Sequence, residues 1–244
     1  MSGHSHSKKI KHAKELTDKK RGQMFSKMAK VISVAVKQGG PNPETNSKLR
    51  VAIETARSRN MPKLNIEKAI KQATGGVEET NLEEVIFEAY GPGGIAIIIE
   101  GITDNKNRTL GEVKQILGQG GGKLADSGSV KWLFEKKGCM TINQLLQDED
   151  FQNKEILEMA AIEADAENIY WHEELLDVYA KPEELDRVKK NLEVKGIKID
   201  SVSLDWVAKE EISTDEKTKE ACQKLFEALD ENEAVQEIYS NLKV

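Results

Sequence analysis

The sequence predicts an α+β protein: an N-terminal helical bundle followed by two ferredoxin-like α+β domains, the third inserted in the second. Three observations lead there. Up to residue 76, apolar residues recur at helical spacing; beyond it, short β-branched runs alternate with helical stretches. The middle of the chain reads β-α-β-β-α-β, a complete ferredoxin-like plan by itself. The tail then leaves one helix and one strand over, which complete the second domain. The expected boundaries are a basic helical domain over 1–76, an α+β domain over 77–137 plus 207–244, and an inserted α+β domain over 138–206.

The elements follow in order. A short helix is expected over roughly Ile10 to Leu16, which holds no helix breaker. Phe25, Ala29, Ile32 and Val36 then mark a helix that stops at Gly39-Gly40. Asn42-Pro43-Glu44 offers the next helix an N-cap, a first-turn proline and an acid near its N-terminus. Leu49, Ala52, Ile53 and Ala56 form its buried stripe, and after Pro62 the stripe repeats at Ile66, Ala69, Ile70 and Ala73. Past Gly76, "VIFEAY" and "IAIIIE" flank Gly91-Pro92-Gly93-Gly94 as a hairpin. Leu110, Val113, Ile116 and Leu117 mark a helix ended by "GQGGGK", and "SVKWLFE" alternates Val130, Trp132 and Phe134 as a strand. "CMTI", "NKEILEMAAIEAD", "NIYWHEELLDVYA", "PEELDRVKKNLEVKG" and "IDSVSLDWVA" supply the inserted domain. The tail helix "TDEKTKEACQKLFEALDEN", capped by Thr214 or Asp215, precedes the strand in "AVQEIYSNLKV".

Charge is divided unevenly along this plan. Apolar residues are 38% and charged residues 32% of the chain, a balance that suits a soluble globular protein, and the net charge is −6. Residues 1–76 hold 17 Lys and Arg against 5 acids, a balance of +12, whereas the remainder stands at −18. Such asymmetry points to a polyanionic partner for the basic part. The longest apolar run, Ile95 to Ile99, is far short of a membrane span. No apolar stretch follows the basic N-terminus as a secretory signal would require. Cys139 and Cys222 fit no disulfide framework or zinc spacing, so a reducing cytoplasm is expected.

The candidate contacts are cationic. With Lys27 set at zero and ~100° per residue, Lys30 and Lys37 lie within ~80° of it, opposite the Phe25–Val36 stripe. The nucleic-acid-binding candidates are Lys8, Lys9, Lys11, Lys14, Lys19, Lys20, Arg21, Lys27 and Lys30, with Lys48, Arg50, Arg57 and Arg59 as a second rank. Their role is phosphate neutralisation, which supplies affinity without sequence readout. Aromatics are only 5% of the chain, so a large base-stacking platform would need most of them in one place.

Other motifs carry less. Ser2-Gly3-His4 has the spacing of an amino-terminal copper or nickel clamp if Met1 is removed, but an incidental histidine is the better reading, and no metal is assigned. "GQGGGK" lacks the P-loop spacing and the following Ser or Thr. In "TDNKNRT", Asn105 or Asn107 suits a helix cap, and Asp104 can pair with Arg108. His172 is the one histidine outside the N-terminal arm, and no nucleophile elbow is present, so no enzyme, cofactor or small-molecule substrate is expected.

Together these motifs resemble one family. "GHS" at Gly3-His4-Ser5, "IKH", "RGQMFSK", "NSKLRVAIETARSRNMP", "AYGPGG", "TDNKNRT" and "GSVKWLFEKKG" follow in the order and spacing of the YebC family. The resemblance implies three domains, the third inserted in the second, and nucleic-acid binding with no known catalysis in the bacterial cytoplasm. It implies either promoter DNA as the ligand or ribosomal RNA, with translation through proline-rich stretches eased on the ribosome. Where the family reads Gly-His-Ser-Lys-Trp, this chain has His6-Ser7 in place of Lys-Trp, so a contact resting on that Trp is not carried over. A start at Gly3 also leaves no room for a mitochondrial presequence.

The expected function is a non-enzymatic regulator of gene expression, a transcriptional regulator binding DNA through its basic N-terminal domain. The alternatives are a ribosome-associated translation factor that relieves stalling at proline-rich sequences, and a protein-interaction scaffold. Nucleic acid is the expected partner, with the ribosome as its possible carrier and no membrane.

Overall fold

The computed structural model describes residues 18–75 and 81–243. It is α+β, with N-terminal helices followed by two antiparallel sheets. The chain divides into two compact units, residues 136–205 and the remainder on either side of them in sequence.

Among the described residues the larger unit opens with three helices, α1 (Asp18–Gly39), α2 (Ser47–Ser58) and α3 (Lys63–Thr74); the short helix expected over roughly Ile10 to Leu16 lies outside the described residues. Their shared core holds Met28, Ile32, Val36, Leu49, Ala52, Ile53, Ala56, Ile66 and Ala69, the stripes that helical periodicity marks. The expected cap of α2 moves. Asn42 only turns the loop, accepting the Glu44 N–H at 2.9 Å, and Asn46 caps the helix. The reason is the number of groups Asn46 satisfies from a buried position. Its Oδ1 accepts the Leu49 N–H at 3.0 Å, while its Nδ2 donates to the Ala35 and Gly40 carbonyls, each at 2.8 Å. One side chain thus closes the end of α1 and opens α2. Asn60, at φ 57°, ends α2 in the left-handed region that Asn tolerates.

Strands β1 (Glu83–Tyr90) and β2 (Ala96–Thr103) form the expected hairpin, paired from Glu83↔Thr103 to Tyr90↔Ala96. Gly93 and Gly94 hold positive φ in its turn. Helix α4 (Lys106–Gln119) and the two-residue β3 (Lys123–Leu124) follow. Past the second unit come α7 (Glu216–Asp230), capped by Asp215, and β8 (Val235–Ser240). The sheet order is β3-β1-β2-β8, so the chain's last strand pairs with β2. Val113 and Leu117 of α4 and Cys222, Leu225, Phe226 and Leu229 of α7 pack on the Phe87 and Ile97 face. Ala96 and Ile98 point the other way, into a cluster with Val130, Phe134, Ala208 and Tyr239. Burial on both faces explains why Ile95 to Ile99 read as an unbroken apolar run.

The expected strand "SVKWLFE" is corrected. Residues 127–130 form a turn, Lys131–Leu133 a single 3₁₀ turn, and the strand begins only at Phe134. Glu88 is the reason. Its carboxylate accepts the backbone N–H groups of Gly128 at 2.6 Å, Val130 at 2.6 Å and Lys131 at 2.7 Å, which curls the segment around it.

The second unit contains most of β4 (Phe134–Asn143), α5 (Lys154–Glu163), β5 (Asn168–His172), β6 (Leu175–Ala180), α6 (Leu185–Val194) and most of β7 (Ser201–Ala208). Its strand order, β5-β6-β4-β7, is the ferredoxin-like arrangement read from the sequence. Met140, Ile142, Leu176 and Val178 meet Leu157, Ala161, Val188 and Leu192 of the two helices.

Candidate nucleic-acid interface

The basic residues of the helical domain divide between two environments. Lys20, Arg21, Lys48 and Arg57 are exposed, with Lys48 donating to Gln38 Oε1 at 2.7 Å. Arg50 is half-buried and bonds the Pro43 carbonyl at 3.4 Å. Lys8, Lys9, Lys11 and Lys14 lie outside the described residues, and Lys19 falls within the backbone of α1.

Lys27, Lys30 and Arg59 reach toward a seam with the end of α7 and β8, Lys27 buried and Lys30 at its exposed edge. Lys27 is buried; its Nζ donates to the Asp230 carbonyl at 2.5 Å and lies 3.3 Å from Asp230 Oδ1. Lys30 Nζ donates to the Glu233 carbonyl at 3.0 Å. Arg59 Nη2 meets Glu237 Oε1 at 2.6 Å, with 11% and 16% of the two side chains exposed. Gln38 adds a bond to Glu84 Oε2 at 3.0 Å. Asp230 is the last residue of α7, where unpaired carbonyls and the negative end of the dipole attract cations. The helical wheel correctly sets Lys27 away from the three-helix core. The end of α7 and the turn after it meet that side at Lys27 and Lys30, while Arg59 meets β8, so these three cations have partners within the protein.

The capping motif at Thr103–Thr109 is structural. Asn105 accepts the Arg108 N–H at 3.0 Å, Arg108 pairs with Asp104 at 2.5 Å, and Thr109 Oγ1 lies 2.8 Å from Thr103 Oγ1. His172 Nε2 lies 3.3 Å from Asp177 Oδ2, and the other oxygen of this buried carboxylate accepts from Thr141 at 2.9 Å. Burial pushes the Cys222 thiol up, which disfavours a thiolate. Among the described residues no His, Cys, Asp and Glu gather in a metal-holding cluster, and no helix is long and apolar enough to cross a membrane.

Sequence reasoning missed Trp132. The residue is 65% exposed at the rim of the Glu88 turn. The ring is held in place: Nε1 donates to the Ser129 carbonyl at 3.0 Å, and the same carbonyl accepts from the Tyr90 hydroxyl at 3.3 Å. Burial would raise the Glu88 carboxyl, but the three backbone donors and Lys131 outweigh it and hold it below the ordinary value. Lys131 Nζ sits 5.1 Å from the Trp206 ring centre and Lys123 Nζ 5.9 Å from that of Tyr90. The Trp206 indole in turn donates to Glu100 at 2.7 Å. The cue that the strand reading passed over was "DSGS", a run of turn formers just before Val130.

Comparison with known proteins accounts for nearly the whole chain. Residues 5–76 match the TACO1/YebC protein N-terminal domain, and residues 82–242 the TACO1/YebC second and third domain. A "Probable transcriptional regulatory protein" of Halothermothrix orenii is 41% identical, over 100% of this chain and 96% of its own length. One of the same description from Persephonella marina is 45% identical over the same shares. The crystal structure of a conserved hypothetical protein from Aquifex aeolicus superposes with a TM-score of 0.86 at 43% identity, covering 96% of this chain and 95% of its own.

Proposed function

The chain belongs to the TACO1/YebC family, and from that premise we propose that it is a non-enzymatic regulator of gene expression, a transcriptional regulator that binds DNA through its basic N-terminal domain. The observation that supports this reading is the division of the cations. Lys27, Lys30 and Arg59 are engaged internally, yet Lys20, Arg21, Lys48 and Arg57 remain exposed on the same small domain. Lys8, Lys9, Lys11, Lys14 and Lys19 are proposed to extend this set, and half-buried Arg50 stands at its edge. Such contacts neutralise phosphates and set orientation.

The test is duplex binding across a salt series, with a slope of about −0.9 in log–log form for each phosphate neutralised. Charge reversal at Lys8, Lys9, Lys11, Lys48 and Arg57 flattens the slope if the reading holds. Unchanged binding of both DNA and RNA would overturn it.

A second reading, a ribosome-associated factor that relieves stalling at proline-rich sequences, uses the same cations. The exposed Trp132 favours it, because a projecting indole suits unpaired bases better than a closed duplex. Co-sedimentation with ribosomes that chloride disrupts, beside weak and unselective duplex binding, would select it over promoter binding.

A further inference from the structure

We propose that Trp132 is a base-stacking residue, giving the second domain its own contact for an unpaired nucleotide of a single-stranded segment. The inference rests on the nucleic-acid reading above and adds to it a ligand class and a second point of attachment.

Three features of the Trp132 turn support this. First, exposure: Trp132 is left 65% accessible, so burial does not account for a large aromatic at this position. Second, rigidity. The turn is anchored by three N–H bonds into one ionised carboxylate, and the indole N–H is tied to a carbonyl that Tyr90 also grips. A ring already held in place loses little freedom when a base stacks on it. Third, cations are linked to it: Lys131, its neighbour in the chain, has its ammonium steadied over Trp206, and Tyr90, which shares the Ser129 carbonyl with Trp132, carries the Lys123 ammonium 5.9 Å from its ring centre. An aromatic face beside ammonium groups is the chemistry that holds single strands, with the base on the ring and its phosphate near the cation. A protein partner would suit the exposed indole equally well, but Lys131 next to it in the chain and Lys123 on the Tyr90 ring favour a polyanion.

Glu88 is a positioning residue here. It touches no ligand and acts by holding the backbone that carries Trp132.

The experiment uses the full chain with Trp171→Phe and Trp206→Phe, so that emission reports Trp132 alone. It is titrated with an unstructured oligoadenylate and with a hairpin duplex of equal charge. The oligoadenylate is expected to quench the emission and the duplex to bind with little quenching. Trp132→Ala should weaken oligoadenylate binding about 5- to 150-fold while leaving the duplex unaffected, and Trp132→Phe should restore most of it. Glu88→Gln should lower both the emission anisotropy and oligoadenylate affinity. Binding of oligoadenylate with unaltered emission, or with unaltered affinity in Trp132→Ala, would overturn the stacking role and leave the helical-domain reading intact. Failure to bind either probe would overturn both.

Discussion

Glu88 shows how one side chain redirects a segment. On β1 it lies between Phe87 and Ala89, whose side chains enter the core, and its own carboxylate emerges on the opposite face of the sheet. There it meets three donors that a straight strand would have used in a ladder. Its carboxyl is held below the ordinary value of 4.5, so its contribution is fully present above the unfolded pKa and is lost as pH falls through the folded one. Trp132 emission in the Trp171→Phe, Trp206→Phe chain should therefore change in an acid step below pH 4.5. Glu88→Gln should lack that step and be about 1–3 kcal/mol less stable at neutral pH by denaturant unfolding. A step of unchanged position in Glu88→Gln would assign the transition to another carboxylate.

Among elements, the junction of α1 and α2 depends most on one residue. Asn46 supplies an acceptor to one helix and two donors to the end of the other. Asn46→Ala should cost about 2–3 kcal/mol, a lost cap together with stranded carbonyls, and should release the Leu49 amide to hydrogen exchange. Gly39 is part of the same arrangement, because a Cβ there would come within 2.6–2.8 Å of the Asn46 side chain. Gly39→Ala should thus reproduce the exchange phenotype of Asn46→Ala without touching the amide itself. Protection of Leu49 equal to wild type in both variants would remove Asn46 from this role.

The helical stripes were legible element by element, since a buried stripe depends only on residues three and four apart. Leu49, Ala52, Ile53 and Ala56 are the buried set of α2 for that reason. The cap was not: Asn42 and Asn46 both have the right chemistry, and their choice depends on where Ala35 and Gly40 bring their carbonyls. For Trp132 the period-2 spacing with Val130 and Phe134 imitated a strand. Only the approach of Glu88, 44 positions earlier in the chain, breaks the pattern.

At the scale of the whole molecule, the cations of the basic domain stand in two environments, a seam and an exposed surface. Seam and surface cations should separate by experiment. Lys27→Met and Arg59→Met should each lower stability, the latter by about 3 kcal/mol because Glu237 is left without this guanidinium in a mostly buried site, and should leave the salt slope of nucleic-acid binding unchanged. Lys48→Ala and Arg57→Ala should do the reverse, keeping the unfolding midpoint and reducing the slope by about 0.9 each. A flattened slope in the seam variants would show that Lys27 and Arg59 meet phosphate after all.

From composition and order alone came the α+β class, the insertion of one domain within another and the placing of positive charge in the first 76 residues. All of these rest on local spacing or on running totals along the chain. Which lysines look outward was settled only when the chain closed on itself, since Lys27 meets Asp230 across 203 positions and no periodicity reaches that far. A helical wheel can tell which side of a helix avoids one core; it cannot tell that a second body waits on the other side.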